Sequence, residues 1–334
     1  MTATFFLGID AGGSKTHALI ADAIGHVVGG GQSGPGNWES VGLDGAAAAY
    51  ELALDEALRA AGIGRHDLAA AGYALAGLDW ESDYVRLEPV IDRLGVPGPR
   101  ILVNDTFGAL RAGSADGYGV VIIAGTGSTI AGRNRQGTIF RTFGLGALWG
   151  DFQGASGLVW GATRAIGHAY FGRGPATVLA DAFVNAYGAV DIPDMVERVS
   201  RGAATWPNGR LAPLVFAAAE AGDDVARRIV REAGEDMGLT AVAVLSRLDL
   251  GHEPFDLVLA GGVFRSRSAL LLEALEAPIR ACAPQVRIVV LEAPPVAGSV
   301  LLAFDAAGVP TPPALCTRLL DDAGSWFQTI EGPA

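Results

Sequence analysis

The stretch Leu7-Gly8-Ile9-Asp10-Ala11-Gly12-Gly13-Ser14-Lys15-Thr16 decides how the rest of the chain is read. Phe5–Ile9 is a short apolar run, the mark of a buried strand, and it ends on Asp10. Ala11-Gly12-Gly13-Ser14 is a turn. Lys15–Asp22 then alternates as a strand does, so the first two elements form a hairpin. A Walker-type loop is excluded twice. The G-x-x-x-x-G-K-[ST] spacing fails because Gly13 and Lys15 are not adjacent, and a strand follows where a helix is required. Two readings remain. One is an ordinary Gly-rich turn. The other is a phosphate hairpin: Gly12 and Gly13 let backbone N–H groups converge on an anion, Ser14 and Thr16 add hydroxyls, and Asp10 holds water on a Mg2+ ion. Lys15 is a further phosphate candidate, although alternate strand spacing can turn it away.

Outward from this hairpin, Val27-Val28 opens a third strand after a turn at Gly25-His26. Asp44–Ala61 and Tyr84–Leu94 have helical spacing, while Ala69–Ala76 and Arg100–Val103 are apolar runs of strand length. The predicted order is strand-strand-strand-helix-strand-helix-strand-helix. The pattern then restarts. Gly119–Ala124 is an apolar strand, Gly125-Thr126-Gly127-Ser128 a Gly-rich turn, Thr129–Arg133 and Thr138–Thr142 two more strands. Helices are predicted between Gly157 and Leu248, strands at Leu257–Ala260 and Arg287–Leu291, and a helix at Pro294–Ala307. Ala314–Ala334 is left as a tail without assigned structure. The chain thus reads as an α/β protein of two similar halves, 1–116 and 117–334, with a cleft between them.

Three more stretches are candidates for chemistry. Ala124-Gly125-Thr126-Gly127-Ser128-Thr129 repeats the hairpin's place in the second half, and two Gly-rich hairpins suit a triphosphate better than one. Val103-Asn104-Asp105-Thr106 ends a strand and begins a helix. A carboxylate there can take a proton from a hydroxyl, and a helix N-cap accounts for the same residues. In Leu259-Ala260-Gly261-Gly262-Val263-Phe264, a Gly pair after a strand lets backbone approach a flat ligand, or simply turns the chain. Asp79, after Ala76-Gly77-Leu78, stands at another strand end where it can border the cleft.

Composition removes whole classes of function. Among 334 residues, 24 are Lys or Arg and 36 are Asp or Glu, a net charge of −12 that argues against nucleic acid or an anionic membrane as partner. Half the chain is hydrophobic and 18% charged, enough for a large core and against disorder. Cys282 and Cys316 exclude a disulfide scaffold, a four-cysteine zinc site and a self-contained iron–sulfur centre. The five histidines show no metal-ligand spacing. No apolar run reaches membrane-spanning length, and Met1-Thr2-Ala3-Thr4 lacks a basic leader, so a cytoplasmic protein is expected.

The segments GIDAGGSKT, NDTFGAL, AGTGST, LAGGVF and PPVAGSVLLAF occur in that order between about Leu7 and Phe304. Together they resemble the N-acetylglucosamine kinase group of the BadF/BadG/BcrA/BcrD ATPase-type family, within the actin-like sugar kinase superfamily. The resemblance implies two ribonuclease-H-like domains closing on ATP, Mg2+ and a sugar, in a homodimer. It implies that Asp105 is the base toward the sugar C6 hydroxyl. Asp10, Gly12, Gly13, Ser14, Lys15 and Thr16 match the first phosphate loop, and Thr126, Gly127 and Ser128 the second. Gly261 and Gly262 match the adenosine loop. Asn37, Gly77, Gly144, Leu145, Gly146 and Asp151 match the sugar side. Three positions depart from the family pattern: Phe152-Gln153-Gly154-Ala155 follows Asp151 in place of Glu-Gly-Ser, Leu145 stands near a family tryptophan, and Ala76 near a serine. They leave glucosamine or another hexose open beside N-acetylglucosamine. The family's dehydratase activators need cysteines bridging an iron–sulfur cluster, and no cysteine lies near Thr126. A nucleotide-gated binding protein without sugar chemistry is the remaining alternative, and the sugar-side residues argue against it.

Overall fold

β1 (Phe5–Ala11) and β2 (Thr16–Asp22) pair antiparallel, with Ala11 opposite Thr16 across the turn. The chain continues through β3 (Val27–Ser33), α1 (Trp38–Ala61), β4 (Leu68–Leu75), α2 (Glu81–Arg93), β5 (Arg100–Asn104) and α3 (Asp105–Gly113), the predicted order. α1 starts before Asp44 because Asn37 caps it, and the helix bends at Gly42, whose φ of 74° interrupts its first turns. The strand order is β3-β2-β1-β4-β5, with β1, β4 and β5 mutually parallel. Parallel pairing sets the carboxyl ends of β1, β4 and β5 side by side: Asp10 stands opposite Ala74, and Leu75 opposite Asn104. Open sheets of this kind bind ligands at that edge.

The restart at Gly119 is also present. β6 (Gly119–Ala124), β7 (Ser128–Arg133) and β8 (Ile139–Arg141) precede five helices: α4 (Ala155–Tyr170), α5 (Leu179–Ala186), α6 (Ile192–Ser200), α7 (Ala212–Glu220) and α8 (Asp224–Arg247). β9 (Asp256–Ala260), α9 (Ala269–Cys282), β10 (Arg287–Val290), α10 (Val296–Ala306) and α11 (Pro313–Glu331) complete the chain. The second sheet runs β10-β9-β6-β7-β8. With β6 to β10 standing for β1 to β5, this is the order of the first sheet read from its other edge.

This computed structural model describes residues 4–331; Met1-Thr2-Ala3, on which the absence of a leader was read, and the last three residues of the tail lie outside them. Among the described residues no helix is long and apolar enough to cross a membrane. Contacts group the chain into two units. The first holds the described residues up to Val121, Gly132–Gly137 and those from Val289 onward; the second holds Ile122–Ala131 and Thr138–Ile288. α10 and α11 therefore belong with the N-terminal sheet, whereas the boundary read at residue 116 assigns them to the second half. The tail left unassigned is a helix whose Leu315, Leu319, Ala323 and Phe327 are buried at every fourth position, one apolar face.

Strand alternation sorts the first unit's core into two layers. Leu7, Ile9, Tyr73 and Leu75 pack with Tyr50 and Leu54 of α1. Phe6, Leu19 and Ala70 pack on the other face with Val300, Phe304, Leu319 and Phe327. Phe6 stacks on Phe304 with ring centroids 4.0 Å apart. Gly8 permits this approach, since a Cβ there would overlap the Val300 amide.

Candidate active site

In the first unit the predicted residues gather at the carboxyl ends of β1, β4 and β5. The turn is closed by the Gly12 amide donating to the Lys15 carbonyl (2.9 Å), and the Gly12 carbonyl accepts from the amides of Gly36 (3.0 Å) and Asn37 (3.3 Å). Gly13, Ser14 and Lys15 are exposed. Neither Gly12 nor Gly13 has a positive φ, and a Cβ would meet the Lys15 carbonyl at 3.5 Å on Gly12 and nothing within 4 Å on Gly13. The fold itself does not require glycine at either place. The space above Gly13 is open.

Asp10, the last residue but one of β1, stands at this edge within reach of the charges of Asp105 and Lys15. Its carboxyl is pushed up to about 8, first by burial, then by the like charge of Asp105, with the Lys15 ammonium opposing both. Lys15 is the sole lysine in the chain; the other 23 of its 24 basic residues are arginine. That singularity was available in the sequence, and a lysine here supplies a compact ammonium in place of a planar guanidinium.

The two readings of Asn104-Asp105 separate cleanly. Asn104 is the N-cap of α3: its Oδ1 accepts from the Thr106 amide (3.1 Å) and the Thr106 hydroxyl (2.6 Å). Asp105 is the first residue of the helix, not its cap. The helix N-terminus favours its negative charge. The Asn104 Nδ2 donates to Asp79 Oδ1 (2.9 Å), so Asp79 does stand at this edge and holds the cap in place. Asp83, which the sequence reading passed over, is buried and accepts from the amides of Asp79 (3.0 Å) and Trp80 (2.8 Å). Asn37 caps α1 through the Glu39 amide (2.9 Å). Gly77, at φ 80°, lies so close that a Cβ would overlap the Asn37 Oδ1, and its carbonyl accepts from Trp38 Nε1 at 2.6 Å.

Thr16 lies behind the turn. It is fully buried, and its hydroxyl donates to the Gly34 carbonyl (3.0 Å). As the first residue of the returning strand it faces inward and anchors the loop.

The second unit repeats this plan. The Gly125 amide donates to the Gly127 carbonyl (2.9 Å), and the carbonyls of Gly125 and Thr126 accept from the amides of Ala155 (2.8 Å) and Ser156 (3.0 Å), tying the turn to the start of α4. Thr126 and Gly127 are exposed. Gly125 and Gly127 have no positive φ and nothing within 4 Å of a Cβ. Ser128 takes the place that Thr16 has in the first unit: it is buried and its hydroxyl donates to Gln153 Oε1 at 2.6 Å. The Gln153 amide nitrogen donates in turn to the Gly150 carbonyl (3.0 Å) and to the Asp236 carboxylate. Gly261, at φ 103°, packs on Ala124 at the end of β6, and Gly262 has open space beyond its Cα. The stretch from Gly144 to Asp151 is shaped from inside: the buried Asp151 carboxylate accepts from the amides of Gly144 (2.8 Å) and Leu145 (3.4 Å). Asp151 thus organises the loop, Gly144, Gly146 and Gly150 supply its positive φ values, and the Leu145 side chain is exposed.

Among the described residues no three His, Cys, Asp or Glu side chains form a metal-binding group. A cation at Asp10 would therefore be completed by water and by phosphate oxygens, the habit of Mg2+.

Comparison with known proteins agrees with this architecture. The chain is 28% identical over 300 residues to an N-acetylmuramic acid/N-acetylglucosamine kinase of Clostridium acetobutylicum, covering 90% of this chain and 98% of that one. It is 28% identical over 317 residues to an N-acetyl-D-glucosamine kinase of Dictyostelium discoideum, covering 91% and 99%. Its fold is that of a structural-genomics target from Chromobacterium violaceum, with a TM-score of 0.66 at 24% identity over 90% of this chain and 98% of that one. The family model for the BadF/BadG/BcrA/BcrD ATPase family matches residues 7–303, and the chain belongs to that family.

Proposed function

We propose that the chain is an ATP-dependent kinase that phosphorylates an amino sugar at its C6 hydroxyl, with N-acetylglucosamine as the leading acceptor and glucosamine or another hexose as the alternative. The observation that carries this reading is Asp105: a carboxylate at the first position of α3, relieved of capping by Asn104, beside Asp10 and a glycine turn that the fold does not need. The names of the two relatives favour an N-acetylated hexosamine.

Phosphoryl transfer asks little covalent chemistry of a protein; positioning and charge neutralisation dominate. Asp105 accepts the proton of the attacking hydroxyl. Asn37 and Gly77 border the acceptor, and Asp79 and Asn104 fix the direction of α3. Because the Gly12 and Gly125 amides close their own turns, binding of the phosphates falls to Gly13, Ser14 and Lys15 in one loop and to Thr126 and Gly127 in the other. Thr16 and Ser128 hold those loops from behind. Gly261 and Gly262 offer backbone to the adenosine, and Gly144, Leu145 and Gly146 line the sugar on a loop set by Asp151. Asp10 fits a Mg2+ ion held through water, since a divalent cation favours its charged form where burial and Asp105 oppose it. When bound, Mg2+ neutralises charge on the phosphates. The family resemblance implies a homodimer, which light scattering of the purified protein tests, and the sequence reading implies a cytoplasmic setting.

The direct test is coupled ADP release with N-acetylglucosamine, glucosamine and glucose, followed by locating the phosphate on the product by NMR. Sugar-dependent turnover that survives in full in Asp105→Ala overturns the reading.

A further inference from the structure

A polar hollow of about 470 Å3 lies within the first unit, lined chiefly by Arg111, Asp116, Tyr118, Arg133, Arg135 and Asp305. It takes no part in the chemistry assigned above. Its neighbour Ile101 stands near the start of β5, whereas Asn104 ends that strand, and Arg111 stands near the end of the helix that Asp105 begins. At 1.5 Å per residue, Asp105 and Arg111 are about 9 Å apart along α3.

The three arginines differ in what they already hold. Arg111 is buried, and all its donors are engaged: Nε and Nη2 on the Asp305 carboxylate (2.7 and 3.1 Å), Nη2 also on the Thr311 hydroxyl (2.7 Å), and Nη1 on the carbonyls of Ser114 (3.4 Å) and Ala115 (3.2 Å). It is wall. Arg135 donates to the Tyr118 hydroxyl, and its guanidinium lies 4.1 Å over the Tyr118 ring, which holds its charge at the mouth. Arg133 is half-buried and makes no hydrogen bond or ion pair among the described residues. A guanidinium cannot shed its proton, so the Arg133 fork keeps its charge and its donors for an anion that enters the hollow.

The Arg111–Asp305 pair cancels, so the charged side chains that remain to meet an occupant are Arg133, Arg135 and the exposed Asp116. The volume falls in the range of small-molecule pockets, roughly 300–1,000 Å3. It is many times the roughly 30 Å3 occupied by a water, so a bare phosphate leaves most of it unfilled.

We propose that this hollow binds the phosphate monoester of a small organic molecule, with the Arg133 fork on the phosphate and Arg135 as the second charge. Its occupant touches the far end of the helix that carries Asp105. The test needs no sugar kinase activity, so its outcome is separate from that of the functional reading. Calorimetric titration of the full chain with inorganic phosphate, glycerol 3-phosphate and glucose 6-phosphate, without ATP, is the experiment. At least one ester binds more tightly than inorganic phosphate. Arg133→Gln weakens that ester by about tenfold or more, as expected for a lost hydrogen-bonded charge. Asp116→Asn, at an exposed site with no cost to folding, strengthens it by removing a like charge. Lys15→Met leaves it within about twofold, because the phosphate loop is not the site. Esters that bind no better than inorganic phosphate, an Arg133→Gln protein that binds like the wild type, no gain in Asp116→Asn, or loss of binding in Lys15→Met would each overturn the proposal.

Discussion

The β1–β2 turn and the β6–β7 turn occupy the same place in two sheets of the same strand order, yet they carry different chemistry. Both have glycines that neither φ nor packing demands, and both returning strands open on a buried hydroxyl, Thr16 or Ser128, that bonds inward. The frame is duplicated. The electrostatics are not. The first turn has Asp10 at its base, Lys15 at its tip and Asp105 close enough to perturb Asp10. The second, Gly125-Thr126-Gly127, carries no charge, and its carbonyls are tied to the start of α4. The difference teaches that a repeated backbone frame does not carry its charges with it: under the proposed function the neutral turn serves as a backbone cradle and the charged one as the reacting end.

The largest effect that could break this contrast is at Asp105. Asp105→Asn lowers kcat by about 10^2 to 10^4-fold, the usual contribution of a general base, and leaves the melting temperature nearly unchanged because Asn104 keeps the cap. A modest loss of rate with a large loss of stability would make Asp105 a structural residue. Next comes the asymmetry between the tips. Lys15→Met removes a charge-assisted contact and costs about 10- to 100-fold in kcat/KM for ATP, and Lys15→Arg recovers only part of it. Thr126→Ala in the neutral turn costs about 2- to 10-fold, the scale of a single uncharged hydrogen bond. Equal losses at the two tips would erase the distinction.

The pH dependence of stability sharpens it further. Without nucleotide or metal, the folded chain keeps a proton on Asp10 up to about pH 8, while the unfolded chain releases it near 3.8. Between those values the native state binds more protons, so stability falls as pH rises, by at most about 1.4 kcal/mol per pH unit. Below the lower value the contribution is fully present; above the upper one it is lost and the curve flattens. Asp10→Asn lacks this slope. Melting curves of both proteins from pH 5 to 9 are therefore expected to diverge, with the variant the more stable at the alkaline end. Parallel curves would show that the Asp10 carboxyl is not held up in this way.

Much of this was legible in the sequence because local rules suffice for it. An apolar run, a Gly-rich turn and an alternating strand announce the hairpin, and the same run at Gly119 announces its repeat. What local rules cannot supply is partner choice. Nothing near Gly8 says that Val300 will lie against it, so the return of α10 and α11 to the first sheet stayed hidden. The four-residue spacing of Leu315, Leu319, Ala323 and Phe327 did mark a helix, and it was there to be read in the unassigned tail. Asn104 and Asp105 both suit a cap, and only the backbone selects Asn104. Thr16 and Ser128 read as ligands because a hydroxyl beside a glycine turn has the right chemistry. Their inward direction follows from the pleat of a strand whose first residue the sequence leaves undecided.

The smallest effect expected is also the most discriminating, because it separates glycines kept for the fold from glycines kept for a ligand. Gly36 and Gly154 stand behind the two turns. A Cβ on Gly36 would overlap the Thr16 hydroxyl, and one on Gly154 the Gly127 carbonyl, so alanine at either forces a shift of about 1–3 kcal/mol. Gly13 and Gly127 stand in front, where a Cβ meets nothing within 4 Å. Alanine there leaves stability within about 0.5 kcal/mol, while the added methyl occupies the space through which phosphate must approach. Chemical denaturation and ATP kinetics on the four variants should thus sort them in opposite directions: stability lost behind the turns, nucleotide affinity lost in front. If Gly13→Ala keeps both full stability and wild-type KM for ATP, the open space above the first turn is not a phosphate cradle, and its likeness to the second is one of backbone alone.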